Sequence, residues 1–251
     1  MKTAIITGAT SGFGRAIAFR LAGLGYQLIV TGRRSDRLDD LTEQLRSLYS
    51  INVLSLCFDV RNNEECTKAV QSIPKSFQPI DLLVNNAGLA AGALPFDESD
   101  LADYDQMIDT NVKGLLYMTK LIVPGMIEQK NGHIINISSI SGIEVYPNGS
   151  VYCASKHAVN AITKGLRIDL VKHGIKVSSV SPGMAETEFS IVRYHGDEEK
   201  AKAVYNGLTP LNAEDIADTV EFIVTRPAHV SINDIQINPA QQANTYISHR
   251  K

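Results

Sequence analysis

The sequence lacks several features that would each have sent it to a different class of protein. It has no excess of positive charge: 24 lysines and arginines stand against 27 acidic residues over 251 positions, a net charge of −3. Nucleic acids and anionic membrane surfaces are recognised by a basic footprint, so neither is expected as the main partner, and a small molecule is. No apolar run reaches the ~18 residues of a membrane span. Residues 3–7 (Thr-Ala-Ile-Ile-Thr) already read as a strand, which leaves no room for a secretory leader. The three cysteines, Cys57, Cys66 and Cys153, form neither a Cys-x-x-Cys pair nor a zinc spacing. An odd, scattered set suits a reducing compartment, so a cytoplasmic location and no metal are expected. There is no linker-like change of composition, no internal repeat and no low-complexity tract. With 44% apolar and 20% charged residues, the chain has the material for one large core, and a single domain over residues 1–251 is expected.

What is present is an alternation of short apolar runs with longer helical patterns. Strands are predicted at 3–7, 27–31, 52–58, 80–84, 132–138, 175–181 and 232–237. Helices are predicted at 12–25, 36–49, 62–74, 100–130 with a break, 152–173, a shorter pair near 188–205, and 213–225. Such a pattern builds a parallel sheet covered on both faces, and right-handed connections make it an α/β, doubly wound, Rossmann-type fold of about seven strands. Ligands of such folds sit at the carboxyl edge of the sheet. The longest stretch without a strand, 183–230, contains Met184-Ala185-Glu186-Thr187, Gly196 and Gly207, and a lid-like segment is expected at about 185–210.

The first strand runs into Gly8-Ala9-Thr10-Ser11-Gly12-Phe13-Gly14. A glycine-rich turn between a strand and a helix lets the backbone approach a pyrophosphate and aims helix amides at it, although a mere packing turn has the same look. The second strand narrows the choice. An acidic residue ~20 residues after the glycines would hold the ribose hydroxyl of NAD, but Gly32 occupies that place and Arg33 and Arg34 follow. A guanidinium suits a 2′-phosphate, so NADP (NADPH) is expected. Solvated charges ahead of the second helix are the plainer alternative, and Asp36 comes too late to be a convincing ribose ligand.

Tyr152 and Lys156 are four residues apart on one helix face, and Ser139 lies thirteen residues upstream of the tyrosine. Moving a hydride to or from a carbonyl carbon requires a proton at its oxygen. A phenol has a pKa of ~10, and bringing it to neutrality means favouring phenolate by roughly 4 kcal/mol. One ammonium at ~4 Å supplies an amount of that order, so Lys156 is expected to activate Tyr152. Ser139 would hydrogen-bond the substrate oxygen. Taken alone, Tyr-x-x-x-Lys is an ordinary helix-surface pair; the neighbouring motifs give it meaning.

Together these residues resemble the short-chain dehydrogenase/reductase family, over essentially the whole chain. The turn from Thr7 to Gly14 resembles its cofactor loop, Asp59-Val60 its adenine-contacting pair, and Asn85-Asn86-Ala87-Gly88 the segment lying along the cofactor. Asn111, Ser139, Tyr152 and Lys156 match its catalytic tetrad. The resemblance implies that Asn111 holds a kinked helix and a water leading from Lys156 to solvent, and that Lys156 also bonds the nicotinamide ribose. Pro182-Gly183 and Thr187 resemble the turn that contacts nicotinamide. The family spacing selects Ser139 over Ser138 and Ser141, with Ser138 the fallback. Plainer roles stay open: Asp59 as a cap for the helix near Asn62, Asn85 to Gly88 as a left-handed turn, Asn111 as a helix-breaking polar residue, and Thr187 as an N-cap. The resemblance also implies a homotetramer.

Three stretches resemble the NADP-dependent 3-hydroxy acid dehydrogenase branch, which oxidises serine, allo-threonine and related β-hydroxy acids and can reduce malonic semialdehyde. They are Gly88 to Gly92, Thr187-Glu188-Phe189 leading to Val192 through Asp197, and Pro227 to Val230 with Ile232-Asn233. A substrate carboxylate wants a cation in a partly desolvated pocket; Arg193 on the expected lid is one candidate, with His195, His249 and Arg250 as others. A solvated lid charge is the plain reading of Arg193, and His157 is read as structural. Other carbonyl substrates, such as ketones, diketones, steroids or pterins, and a non-catalytic NADP(H)-sensing protein are the alternatives.

Overall fold

The computed structural model describes residues 1–251. Seven strands form one parallel sheet: β1 (Thr3–Ile6), β2 (Gln27–Gly32), β3 (Val53–Cys57), β4 (Leu82–Asn85), β5 (Gly132–Ile137), β6 (Ile175–Pro182) and β7 (Asp234–Ile237), in the order β3-β2-β1-β4-β5-β6-β7. Chain order reverses between β1 and β4, and each runs straight into a glycine- or asparagine-rich turn at its carboxyl end. Doubly wound sheets open a crevice at this switch point.

The strands are apolar on both faces because both are covered. Successive side chains alternate, so Ala4 and Ile6 join one core layer and Ile5 the other. The first layer lies under α1 (Gly12–Gly23), α2 (Ser35–Tyr49) and α9 (Ala213–Val224); the second under α3 (Asn63–Gln71), α5 (Leu115–Glu128) and α6 (Ser150–Leu170). Ile5, Ile6, Leu28, Ile29 and Leu83 have no solvent exposure. Each such burial contributes roughly 2 kcal/mol, which holds the strand ends in fixed positions under the crevice.

Helix boundaries follow from local chemistry. The Asn62 Oδ1 accepts from the amides of Glu64 and Glu65, so Asn62, not Asp59, caps α3. Asn212 and Asp215 form a reciprocal capping box at α9. The break expected within 100–130 is a change of helix type: α4 (Leu101–Ile108) passes through a π-helical turn at Asp109–Gly114 into α5. On its far side this turn packs closely, and a Cβ on Gly114 would come within 2.8 Å of Val60 Cγ2.

Beyond β6, α7 (Glu188–Arg193) and α8 (Glu198–Ala203) form the short helical pair expected there. The last residues fold back on the same chain. Gln242 Oε1 accepts from Met184 N at 2.8 Å, Glu144 accepts from the Thr245 amide and hydroxyl, and Arg250 donates to the carbonyls of Val204 and Asn206. The polar tail thus packs against its own chain.

Candidate active site

The glycine turn is held open by backbone contacts. Gly8 has φ +67°, and a Cβ there would lie 2.9 Å from the Ala87 Cα; one on Gly14 would lie 2.4 Å from the Gly8 oxygen. Side chains are excluded at both places. Asn86 fastens the turn from across the switch point, its Nδ2 donating to the carbonyls of Thr7 and Gly8, while Thr7 Oγ1 accepts from the amides of Asn86 and Ala87. Ser11 precedes α1 without capping it by its side chain. The first-turn amides at Gly12, Phe13 and Gly14 thus stand at the positive end of a helix dipole, a surface chemically suited to a pyrophosphate.

Gly32 packs against Thr10, whose Cγ2 would lie 2.6 Å from a Cβ at that position. An acidic side chain there would be displaced, in keeping with a 2′-phosphorylated ligand. Arg33 is about half exposed and lies 3.7 Å from Asp59, which Arg61 also binds. Burial raises the Asp59 carboxyl, but the hydrogen bonds and charge of Arg61, with Arg33 beyond, hold it below the usual carboxylate range overall. Arg34 takes another direction, donating to Thr10 Oγ1, Ser11 Oγ and Glu188. The two arginines expected at the 2′-phosphate thus lie against two different carboxylates.

Across the crevice the sequence-predicted residues converge from three elements. Ser139 follows β5, Tyr152 and Lys156 stand on α6, and Asn111 sits in the π-helical turn; all four are buried. Asn111 clamps the main chain of Leu89 in both directions, its Oδ1 accepting from the amide and its Nδ2 donating to the carbonyl, each at 2.8 Å, and Nδ2 also reaches Ser155 Oγ. Ser155 in turn donates to the Tyr152 carbonyl. Lys156 Nζ and Asn111 Oδ1 both flank Gly88, near 3.4 Å from where a Cβ would stand. Ser138 Oγ points to the Lys156 carbonyl, while Ser139 Oγ points to Ser141 and Pro182, on the Tyr152 side.

Lys156 Nζ donates to the Ile137 carbonyl at 3.0 Å and lies 6.0 Å from the Tyr152 ring centroid. Burial raises the Tyr152 pKa, with Tyr146 adding to it and a hydrogen bond from Ser139 opposing it. Burial also pushes the Lys156 ammonium down to about 8. Desolvation in this buried pocket thus opposes the activation of the phenol expected from Lys156.

Several neighbours had no sequence signal. Phe189 meets the Tyr152 ring edge-on at 5.7 Å between centroids. Tyr146, on the loop between β5 and α6, lies under Arg193, whose Cζ is 5.5 Å from the ring centroid. Arg193 Nε donates to the Gly92 carbonyl, and no carboxylate pairs with its guanidinium. Its charge opposes the effect of burial on Tyr146 and on Tyr152. His195 is tied to Asp103 at 3.2 Å, Arg250 holds the carbonyls of Val204 and Asn206, and His157 bonds the Cys153 carbonyl. Thr187 caps α7, its Oγ1 accepting from Phe189 N. Under the site, Asn85 Nδ2 donates to Asn136 and Thr119, and Asn136 Nδ2 donates to Thr163. This buried ladder ties β4 and β5 to α5 and α6.

The sequence model of the family described as short chain dehydrogenase matches residues 2–197. The chain belongs to that family. Sulfoacetaldehyde reductase 2 of Chromohalobacter salexigens is 45% identical to it over 95% of this chain and 94% of its own length. The NADP-dependent 3-hydroxy acid dehydrogenase YdfG of Salmonella typhimurium is 44% identical over 95% of each chain. Among solved structures, the closed form of serine dehydrogenase complexed with NADP+ superimposes with a TM-score of 0.92 at 41% identity, covering 99% of this chain and 100% of that one. The seven-stranded sheet and its helices are thus the family's fold. No helix is long and apolar enough to cross a membrane.

Proposed function

We propose that this NADP-dependent oxidoreductase moves a hydride between NADP(H) and a small 3-hydroxy acid or the corresponding carbonyl compound, with serine, L-allo-threonine and 3-hydroxypropionate as representative substrates. The supporting observation is Arg193: an unneutralised guanidinium over Tyr146, near enough to the buried phenol of Tyr152 for its charge to act there. A carboxylate pairs with such a cation at little cost when the pocket is partly dry. The two named relatives act on compounds that share a feature, an acid group one carbon away from the reacting carbon. Sulfoacetaldehyde is accordingly the second reading, since a sulfonate satisfies the same guanidinium.

NADP supplies the hydride or accepts it. The first-turn amides of α1, together with Thr10 and Ser11, would hold its pyrophosphate, and Arg33 and Arg34 its 2′-phosphate. Asp59 and Val60 would border the adenine, Asn86, Ala87 and Gly88 would lie along the dinucleotide, and Pro182, Gly183 and Thr187 would receive the nicotinamide end. In this reading Tyr152 gives a proton to the carbonyl oxygen in reduction and takes it back in oxidation. Ser139 positions that oxygen, Lys156 bonds the nicotinamide ribose and favours phenolate, and Asn111 keeps the helix turn through which the proton is replaced. Residues 185–210 act as a lid carrying Arg193. The assembly is read as a homotetramer formed through α5 and α6, where Leu116 and Ile168 are exposed.

The test is kcat/KM over a panel of L-serine, L-allo-threonine, 3-hydroxypropionate and a simple secondary alcohol with NADP, and sulfoacetaldehyde with NADPH. The best acid is expected to exceed the uncharged alcohol by roughly 100-fold or more, and Arg193→Gln is expected to erase most of that margin. Equal rates on charged and uncharged substrates would overturn the acid reading.

A further inference from the structure

The start of α7 touches more than the site beneath it. Thr187 lies against the glycine turn, its Cβ 3.3 Å from where a Cβ on Gly12 would stand. The next residue, Glu188, reaches across to the connection between β2 and α2. One carboxylate oxygen accepts from Arg34 at 2.8 Å and the other from Arg37. Arg34 is itself pinned, since its Nε and a terminal nitrogen donate to Thr10 Oγ1 and that nitrogen also reaches Ser11 Oγ at 2.9 Å. Three segments far apart in sequence thereby form one bridge over the first turn of α1. It borders a cleft of about 470 Å³ whose lining includes Ser11, Gly12, Thr187 and Glu188.

We propose that Glu188 is a positioning residue for the cofactor, a latch that closes the lid over the bound dinucleotide through Arg34 and Arg37 and so sets the rate at which NADP(H) leaves. The inference rests on the dinucleotide seat at residues 8–14 described above. The bridge joins the turn at Thr10 and Ser11, the connection that follows Gly32 and Arg33, and the start of α7 next to Thr187, so it links residues assigned to both ends of the dinucleotide. The bridging side chains are 38–42% exposed. Ion pairs so placed are weak enough to open repeatedly, which is what a release gate requires. The competing idea is that Glu188 is a decoy occupying arginines meant for the 2′-phosphate. Arg34 is held over the turn by Thr10 and Ser11 apart from its bond to Glu188, and Arg33, the other arginine assigned to the 2′-phosphate, has no hydrogen bond or ion pair to α7; this favours the latch.

The two ideas predict opposite results for release. NADPH and NADH dissociation is measured by stopped-flow fluorescence, chasing each bound reduced cofactor with excess of its oxidised form. Glu188→Gln and Arg37→Gln are each expected to speed release of both cofactors about fivefold. The double variant should add little, and the melting temperature of the cofactor-free protein should not change. Unchanged release rates, or slower release confined to NADPH, would sink the latch. If the wild-type protein gave no NADPH fluorescence signal, the seat itself would be wrong and the latch with it.

Discussion

Around β1 to β3 the crevice is shaped by main chain and by exposed arginines, whereas around β4 to β6 it is shaped by buried side chains. In the first region glycines at 8, 14 and 32 exclude side chains, and the charges of Arg33, Arg34 and Asp59 remain partly in water. In the second, Asn85, Asn111, Asn136, Ser139, Tyr152 and Lys156 are nearly inaccessible, and their polar groups are paired chiefly with one another or with backbone. The difference follows from the demands on each region. A phosphate is recognised by amides and screened cations, so the binding region tolerates solvent. A proton transfer needs groups whose protonation states are set by their surroundings, and burial both shifts a phenol or an ammonium directly and strengthens the action of neighbouring charges on it.

Substitutions should therefore hit the two regions unequally. The largest effect is expected from Tyr152→Phe, which removes the proton donor and leaves the ring packed on Phe189. Turnover should fall by about 10³-fold or more, while NADPH affinity by fluorescence titration stays within about threefold, because the phenol contributes little to ground-state binding. Near-normal turnover would break the distinction between the two regions.

A smaller effect is expected on the binding side. Arg33→Ala should weaken NADP by roughly tenfold, from the loss of a charge-assisted contact, and leave NAD nearly untouched. Equal losses of both cofactors, read by the same titration, would show that Arg33 does not sense the 2′-phosphate.

The smallest effect near neutrality concerns a third place, the far edge of the sheet, which sharpens the comparison because it has burial without a site. His133 Nε2 meets Ser178 Oγ at 2.8 Å, and burial, with Lys176 adding, pushes its pKa down to about 3. The unfolded chain takes up this proton below about pH 6.5, the folded chain only near 3. The stability due to neutral His133 is thus present above pH 6.5 and is lost as pH falls towards 3, at up to about 1.4 kcal/mol per unit. His133→Gln should flatten the pH dependence of urea unfolding between about pH 6 and 4 relative to the wild type; identical slopes would refute the assignment.

The fold could be read with little loss. Each strand is found within about two residues of its expected place, because a parallel sheet buried on both faces requires continuous apolar runs. The π-helical turn was legible as a break near Asn111, though its type was not, since local spacing does not distinguish a π-helical turn from another interruption of a helix. Tyr146, Phe189 and the bridge from Glu188 to Arg34 and Arg37 carried no signal of their own. They lie on loops and helix ends whose neighbours are set by how α7 lies across the sheet. Helical spacing likewise put Lys156 and Tyr152 on one face but did not show that the Ile137 carbonyl of a neighbouring strand holds the ammonium.

Residue order alone thus settled the strand and helix succession, the glycine turn, the family and the set of polar residues bound for the switch point, since these depend on periodicity, on glycine's freedom and on spacing along one chain. Which way the buried ammonium points, how the two arginines divide between Asp59 and Glu188, and whether Arg193 reaches the phenol's pocket were decided only in three dimensions. Those are contests among partners distant in sequence, won by whichever group the packing of separate elements brings nearest.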